Sequence, residues 1–342
     1  MNIRDLAREL NISIGTVSRA LNGRADVNDD TRRRVLEAAA RLGYTPNQSG
    51  RSLRRGVTNT IGFIMETDPD APPPGDNFFV PILEGMQTVL TAHRLDIVVM
   101  LYAKRDDEAA HVRRVVARRT VDALVLSQVK RGDPRIPVMM ASGLPFLAFG
   151  RSGMDHDYAW IDIDFAGMAV MAVDRFVARG HRRIAIVGIS SELNYGYLFI
   201  EAYRQRMAEH GLPVAATDVV RAAATEAGGY LAAERMFSGP DHPTAVLGVN
   251  ESTAIGVYRY LSERGIAPGR DVALISARET AVCRYLSPTL TAFRLDLRKL
   301  GVRMGQTLLA QIPGYAAGVP AMPAQTIWPL DLFEGESDAV WR

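Results

Sequence analysis

Cysteine is nearly missing from this chain: Cys283 is the single one among 342 residues. One thiol can form neither an intrachain disulfide nor a cysteine-based metal cluster. Long apolar runs are missing as well. No stretch approaches the roughly eighteen consecutive apolar residues of a membrane span, and no apolar leader opens the sequence, so no membrane partner and a cytoplasmic location are expected. The histidines at 93, 111, 156, 181, 210 and 242 are scattered without metal-ligand spacing. No P-loop, no GxGxxG after a strand and no GxSxG occurs. Asp162 and Asp164 would share one face of a strand, yet no nucleophile or acid/base spacing accompanies them. No catalytic group, metal or cofactor is expected.

The residues that are present divide unevenly. Hydrophobic residues make up 47% and charged residues 23%, an ordinary globular composition, and 342 residues suffice for two or three domains. The net charge of +2 conceals an asymmetry: residues 1–58 hold 11 arginines against 6 acids, while the remainder holds 29 basic and 32 acidic residues. A basic head suits a polyanion, and a mildly acidic body suits something small.

Ile3–Gly23 reads as two short helices joined by a tight turn. Ile3, Leu6, Ala7 and Leu10 fall on one face of the first. Asn11 stands where the chain reverses, and Asn tolerates left-handed backbone geometry. Ser13 can cap a second helix over Ile14–Leu21, which would bury Val17, Ala20 and Leu21. Ile14, Gly15, Thr16, Ser18, Arg19 and Asn22 stay on or near its outer face, where a recognition helix meets a major groove. A third helix is expected over Asp29–Leu42, with Val35, Leu36, Ala39 and Leu42 facing inward. A short linker carrying Arg51, Arg54 and Arg55 follows.

From Thr60 the pattern changes to apolar runs alternating with amphipathic segments. Strands are expected at 61–65, 96–101, 123–127, 145–150, 159–164, 183–189, 245–250 and 272–277. Helices are expected at 79–93, 106–119, 166–179, 197–210 and 252–264. This alternation predicts doubly wound parallel sheets, in two sets, with a cleft between them beyond the strand ends. The proline-rich stretch DPDAPPPGDN would lead to that cleft.

Over essentially its full length the chain resembles the bacterial lactose-repressor (LacI-type) family of transcription factors. The carrying residues are DLA (5–7), SIGTVSRALNG (13–23), TRRRVLEAAARLGYTPN (31–47), RSLRRGVTNTIGFI (51–64), NFF (77–79) with LEGM (83–86), GHRRIAIVG (180–188), GVNE (248–251) and DVALI (271–275). The resemblance implies an all-α helix-turn-helix headgroup on an α/β core of two periplasmic-binding-protein-type subdomains. The expected division is a headgroup over 1–46, a hinge over 47–58 and a core over 59–342. Within the core, one subdomain would take 59–160 and 290–322, the other 161–289 and 323–342. The implied partners are a near-palindromic double-stranded operator, a small sugar-like effector and a second copy of the chain. The resemblance also implies association with the nucleoid. The segment after Leu330 lacks heptads, so a dimer is expected rather than a tetramer.

Carried over residue by residue, the family's main base-reading pair is Ile14 and Gly15 here. Ile14 offers only apolar contact, for instance to a thymine methyl. Ser13, Thr16, Ser18, Asn22, Tyr44 and Asn47 are assigned to the DNA face, mostly at phosphates. Arg19 is the candidate for guanine. Leu53 aligns with a minor-groove wedge, flanked by Arg51 and Arg54. The implied effector residues are Phe78, Phe79, Arg151, Asp162, Tyr195, Phe199, Asn250 and Arg278. Phe199 stands where sugar-binding relatives place Arg, and Arg278 where they place a sugar-gripping Asp. That exchange favours an effector with a carboxylate or phosphate, or one that accepts hydrogen bonds from a guanidinium, unless Arg278 pairs with Glu279, Glu251 or Asp162. A periplasmic-type solute-binding protein with an accessory headgroup is the competing reading, opposed by the headgroup and the missing leader. An α/β enzyme is opposed by the absence of catalytic spacing. Whether the effector releases DNA or tightens its grip stays open.

Overall fold

The chain separates into two units, Met1–Thr58 and Asn59–Arg342. The computed structural model describes residues 2–21, 24, 26–44, 57–68, 77–318 and 323–338. Asn22, Asn47, Arg51, Leu53 and Arg54, all expected at DNA, lie outside the described residues, as does 69–76 of the proline-rich stretch.

In the first unit three helices surround a small core. The first, α1 (Ile3–Glu9), opens with a capping box: the Asn2 side chain accepts the N–H groups of Arg4 and Asp5, while the Asp5 carboxylate accepts the Asn2 N–H. Asn11 turns the chain with φ at 53°, the left-handed geometry expected of it. Ser13 Oγ accepts the Thr16 N–H at 3.0 Å and so starts α2 (Ile14–Leu21). Asn28 caps α3 (Asp29–Arg41). Leu6, Ala7, Val17, Ala20, Val27, Val35, Ala38 and Ala39 are buried together. Leu36, expected to face inward, is 50% exposed. The buried stripe of α3 runs Val35–Ala38–Ala39, at helical spacings of three and four, and a residue adjacent to Val35 is rotated off it.

In the second unit strands and helices alternate: β1 (Thr60–Thr67), α4 (Phe79–Thr91), β2 (Asp96–Ala103), α5 (Glu108–Arg118), β3 (Ala123–Leu126), α6 (Arg135–Ser142), β4 (Phe146–Phe149), β5 (Trp160–Ile163), α7 (Phe165–Ala178), β6 (Ile184–Ile189), α8 (Asn194–Glu209), β7 (Val219–Ala222), α9 (Glu226–Met236), β8 (Ala245–Gly248), α10 (Glu251–Glu263), β9 (Ala273–Ser276), β10 (Thr291–Arg294), α11 (Leu297–Gln311), β11 (Gln325–Trp328) and β12 (Asp331–Phe333). The eight strands and five helices expected from the apolar runs are among them; α6, β7, α9, β10, α11, β11 and β12 were not expected. The strands form two six-stranded sheets. The first, ordered β11-β5-β4-β3-β1-β2, is parallel throughout. The second, ordered β12-β10-β9-β8-β6-β7, is parallel except for its edge strand β12.

The sheets define two lobes, and the chain crosses between them after β5, after β10 and after β11. These crossings correct the expected subdomain limits at 160/161, 289/290 and 322/323. Strand β5 pairs with β4 and β11 in the first sheet, and β10 pairs with β9 in the second. Each crossing therefore waits until a strand has finished pairing. The segment after β12 is sewn into the second lobe: Ser337 and Asp338 are buried, Ser337 Oγ donates to Leu274 O, Thr291 Oγ1 donates to Asp338, and Arg175 and Arg179 pair with the same carboxylate. His181, read as a strand-entry residue, is buried just before β6 with its ring 3.0 Å from Thr244 Oγ1.

In the first lobe α4 lies directly on α11. A Cβ on Gly85 would sit 2.1 Å from Arg298 O, and one on Gly301 would sit 2.0 Å from Ile82 O. The two backbones touch where neither residue has a side chain. Gly301→Ala is therefore expected to lower stability by about 1–3 kcal/mol or more through overpacking. Urea denaturation of the variant should show the loss as a lower midpoint; an unchanged midpoint would mean the helix pair separates at no cost.

Candidate functional site

The carboxyl ends of both sets of parallel strands open on one cleft of about 540 Å³ within the second unit. Phe78 and Phe79, at the start of α4, form one wall with Phe149, the last residue of β4. The rings of Phe78 and Phe149 are stacked, their centroids 6.2 Å apart, and Phe79 meets both edge-on. The second lobe contributes another aromatic platform, Phe165 stacked on Tyr195 at 4.3 Å. Burial pushes the Tyr195 hydroxyl up to about 12, against the opposing pull of Arg278. Asn77, Gln128, Glu226, Asn250 and Ser252 add polar edges.

Both lining cations among the described residues are matched by a carboxylate. Arg151 Nε stands 3.2 Å from Asp162 Oδ2. Arg278 grips Glu251 through two nitrogens, Nε to Oε2 at 2.8 Å and Nη2 to Oε1 at 2.6 Å. The Glu251 side chain is only 4% exposed, so the pair is a forked, charge-assisted contact inside the wall. The Arg278 guanidinium also lies 5.3 Å from the Phe78 ring centroid, across the cleft. Of the three partners weighed for Arg278, the structure selects Glu251; Glu279 is held instead by Arg284 and Arg294.

Seven of the eight residues expected at the effector line this cleft: Phe78, Phe79, Arg151, Asp162, Tyr195, Asn250 and Arg278. Phe199 does not. It is fully buried, edge-on to Phe165 at 6.1 Å, one turn of α8 beyond Tyr195. Helix α8 starts at Asn194, three residues earlier than expected, and that start puts Tyr195 on the cleft and Phe199 beneath the platform. Asn250 spends both ends of its amide on structure: Oδ1 caps α10 through the Thr253 N–H, and Nδ2 donates to Ala224 O. Asp164, the other half of the suspected carboxylate pair, caps α7 through the Gly167 N–H. Phe149 and Phe165 went unremarked in the sequence, although each is an aromatic residue at or just past the end of an apolar run. Glu251 was visible there only as one of three candidate partners.

On the headgroup, Ile14 is 44% exposed and Gly15 is open. Arg19 is exposed, 3.6 Å from the exposed carboxylate of Asp26, a pair that two solvated side chains readily exchange for a better anion. Thr16 and Ser18 are half-buried, and the Ser13 and Thr16 hydroxyls are 2.9 Å apart. Tyr44 packs on the rim of the small core.

Comparison with known proteins gives a consistent result. The model for bacterial regulatory proteins of the lacI family matches residues 2–47, and that for a periplasmic binding protein-like domain matches 173–337. The HTH-type transcriptional regulator AglR of Rhizobium meliloti is 33% identical over 338 residues, covering 97% of this chain and 92% of that protein. The HTH-type transcriptional regulator RafR of Escherichia coli is 32% identical over 272 residues, 79% of each. Among solved structures, the lac repressor dimer bound to operator and an anti-inducer shares the fold with a TM-score of 0.86 at 22% identity, over 99% of each chain. The transcriptional regulator CelR–cellobiose complex does so with 0.73 at 23% identity, over 98% and 99%.

Asp162 sets a pH dependence. Burial outweighs the pull of Arg151 and raises its carboxyl to about 7. The folded form then holds a proton that the unfolded chain, with an ordinary aspartate, has already lost. The contribution is complete below the unfolded value near ~4 and disappears as pH rises through about 7. Unfolding stability of the parent should fall between pH 5 and pH 8, and Asp162→Asn should flatten that fall. Equal slopes in urea titrations of the two proteins would contradict the assignment.

Proposed function

Because this chain belongs to the lacI family of bacterial regulatory proteins, and is a DNA-binding transcriptional regulator rather than an enzyme, we propose that it is a homodimeric repressor of a near-palindromic operator whose affinity is set by a neutral sugar held in the two-lobe cleft. The observation that carries the effector class is the forked pairing of Arg278 with the buried Glu251. An anionic effector would have to displace Glu251 from Arg278, leaving a buried carboxylate uncompensated. A neutral polyol needs no such exchange: its hydroxyls accept from guanidinium and donate to carboxylate, while its C–H faces lie on the Phe78 and Phe165–Tyr195 platforms. The two platforms and the cleft volume suit two sugar rings, and the solved CelR complex holds the disaccharide cellobiose.

Dimerisation has a candidate surface in the first lobe. Strand β2 is an edge strand, and Val98, Val99 and Leu101 on it are 45%, 42% and 58% exposed. Unpaired edges with apolar residues are normally covered, and a second copy of the chain would cover this one while presenting two headgroups.

Three measurements test the reading. Selection from random duplexes should return near-palindromes, and Arg19→Ala should then cost about 1–3 kcal/mol with relaxed preference at one base position. Leu101→Asp should shift the protein toward monomer in sedimentation and weaken operator binding without unfolding it. A thermal-shift panel of neutral disaccharides, sugar acids and sugar phosphates should show stabilisation by a neutral member. Stabilisation by acidic members alone would overturn the neutral-sugar assignment.

A further inference from the structure

Apart from the three covalent crossings, a short backbone clasp joins the lobes. The loop after β3 runs beside the segment that leads into α8, with an antiparallel bridge between Lys130 and Leu193. The Arg131 N–H donates to Glu192 O at 3.0 Å, and the Asn194 N–H donates to Val129 O at 3.0 Å. Asn194 reaches further: its Nδ2 donates to Arg151 O at 2.8 Å, in the loop after β4. One residue of the second lobe thus holds two loops of the first. Val129, Arg151, Leu193 and Tyr195, all tied directly to this clasp, line the cleft.

Both sides of the clasp are braced by arginine. In the first lobe Arg135 is fully buried against Asp133, and its Nη2 donates to Ser127 O and Gln128 O at 3.0 and 3.1 Å. Asp133 in turn accepts the Lys130 N–H at 3.1 Å. In the second lobe Arg221 donates to Ile189 O and Ser191 O. Loops braced in this way move with their lobes, so opening the cleft means breaking the bonds between them.

Asn194 is also an odd choice for its local position. An Asn one residue earlier, at the cap position, would turn back to cap the helix. Here the cap position is Leu193, with no side-chain cap, and the Asn194 amide leaves the helix for the other lobe. The residue is 2% exposed, and its Oδ1 has no hydrogen-bond partner among the described residues. A helix start that forgoes its own cap, and buries a polar atom without a partner, is explained by the bond across the cleft.

We propose that Asn194 is the positioning residue that fastens the cleft shut, joining the platform-bearing start of α8 to both cleft loops of the first lobe, so that closure is built into the protein and the effector acts on a clasp already formed. The proposal rests on the reading of this cleft as the effector site, and it makes the Asn194 arm a determinant of how readily that site opens. Exchange of one buried donor for an apolar group of similar volume should release both loops, although the substitution lies in only one lobe.

The test is amide hydrogen exchange, followed by mass spectrometry, on the full-length protein with no ligand added. In Asn194→Leu and Asn194→Asp, exchange should rise about tenfold in peptides over 128–133 as well as 190–197, with peptides from β6 and from α4 unchanged. Each of these substitutions keeps the backbone N–H and removes only the arm to Arg151; should Asn194→Leu fail to fold, the smaller Asn194→Ser takes its place. It is expected to raise exchange over 128–133 as well. Protection of 128–133 at the parent level in the folded variants would overturn the proposal and leave Asn194 as an internal packing residue. No ligand enters this experiment, so a sugar panel that fails to bind would defeat the effector reading alone.

Discussion

Parallel strand order is the constraint on which the rest of the core depends. In a parallel sheet every strand ends at the same edge, and the residues just past each strand must stand there. Both lobes turn that edge toward one cleft. Hence Gln128 follows β3, Arg151 follows β4, Asp162 lies in β5 one residue from its end, Asn250 follows β8, Arg278 follows β9 and Leu295 follows β10, and all of them line the cleft. Residues from Gln128 to Leu295, 167 positions apart in the chain, become neighbours because of strand direction. The buried ion pairs and aromatic platforms occupy sites that this geometry had already brought together.

Much of this was legible in the sequence, for identifiable reasons. The headgroup is specified locally: Asn11, Ser13 and the Val17–Ala20 stripe act within a few residues of one another, and each behaves as its chemistry predicts. The buried parallel strands announce themselves as unbroken apolar runs. Lobe membership was harder, because it depends on which strand pairs with which. Trp160–Ile163 was expected as a strand and split by the assumed limit at 160/161, while Thr291–Arg294 was not expected as a strand at all, yet its pairing with β9 puts it in the second sheet. Phe199 was placed at the effector by its correspondence with the family's Arg position; it shares a helix face with Tyr195 but lies one turn further on, buried beneath Phe165. The pairing of Arg278 was hidden for a third reason. Arg278 and Glu251 are 27 positions apart, and no local pattern reveals a contact over that distance.

Charge in the core follows one rule in several places. Arg135 with Asp133, Arg278 with Glu251, and Arg175 and Arg179 with Asp338 each pair guanidinium with a sheltered carboxylate. Such pairs are weak arguments for stability, since desolvation consumes most of the attraction. They are better understood as devices for shape. A planar fork fixes direction as well as distance, and here those forks hold a loop, a cleft wall and the last described segment in place.

The buried position of Ser337 and Asp338 has a consequence for how the protein is made. Strand β11 completes the edge of the first sheet, and residues 331–338 complete the second. Synthesis proceeds from the other end, so the three headgroup helices leave the ribosome with all their partners present and can assemble at once. Neither sheet can. Through most of translation a finished DNA-reading head is attached to a core whose two sheets both lack their final strand. The head can therefore fold before the core is complete, and the interval lasts until residues near 338 have cleared the exit tunnel.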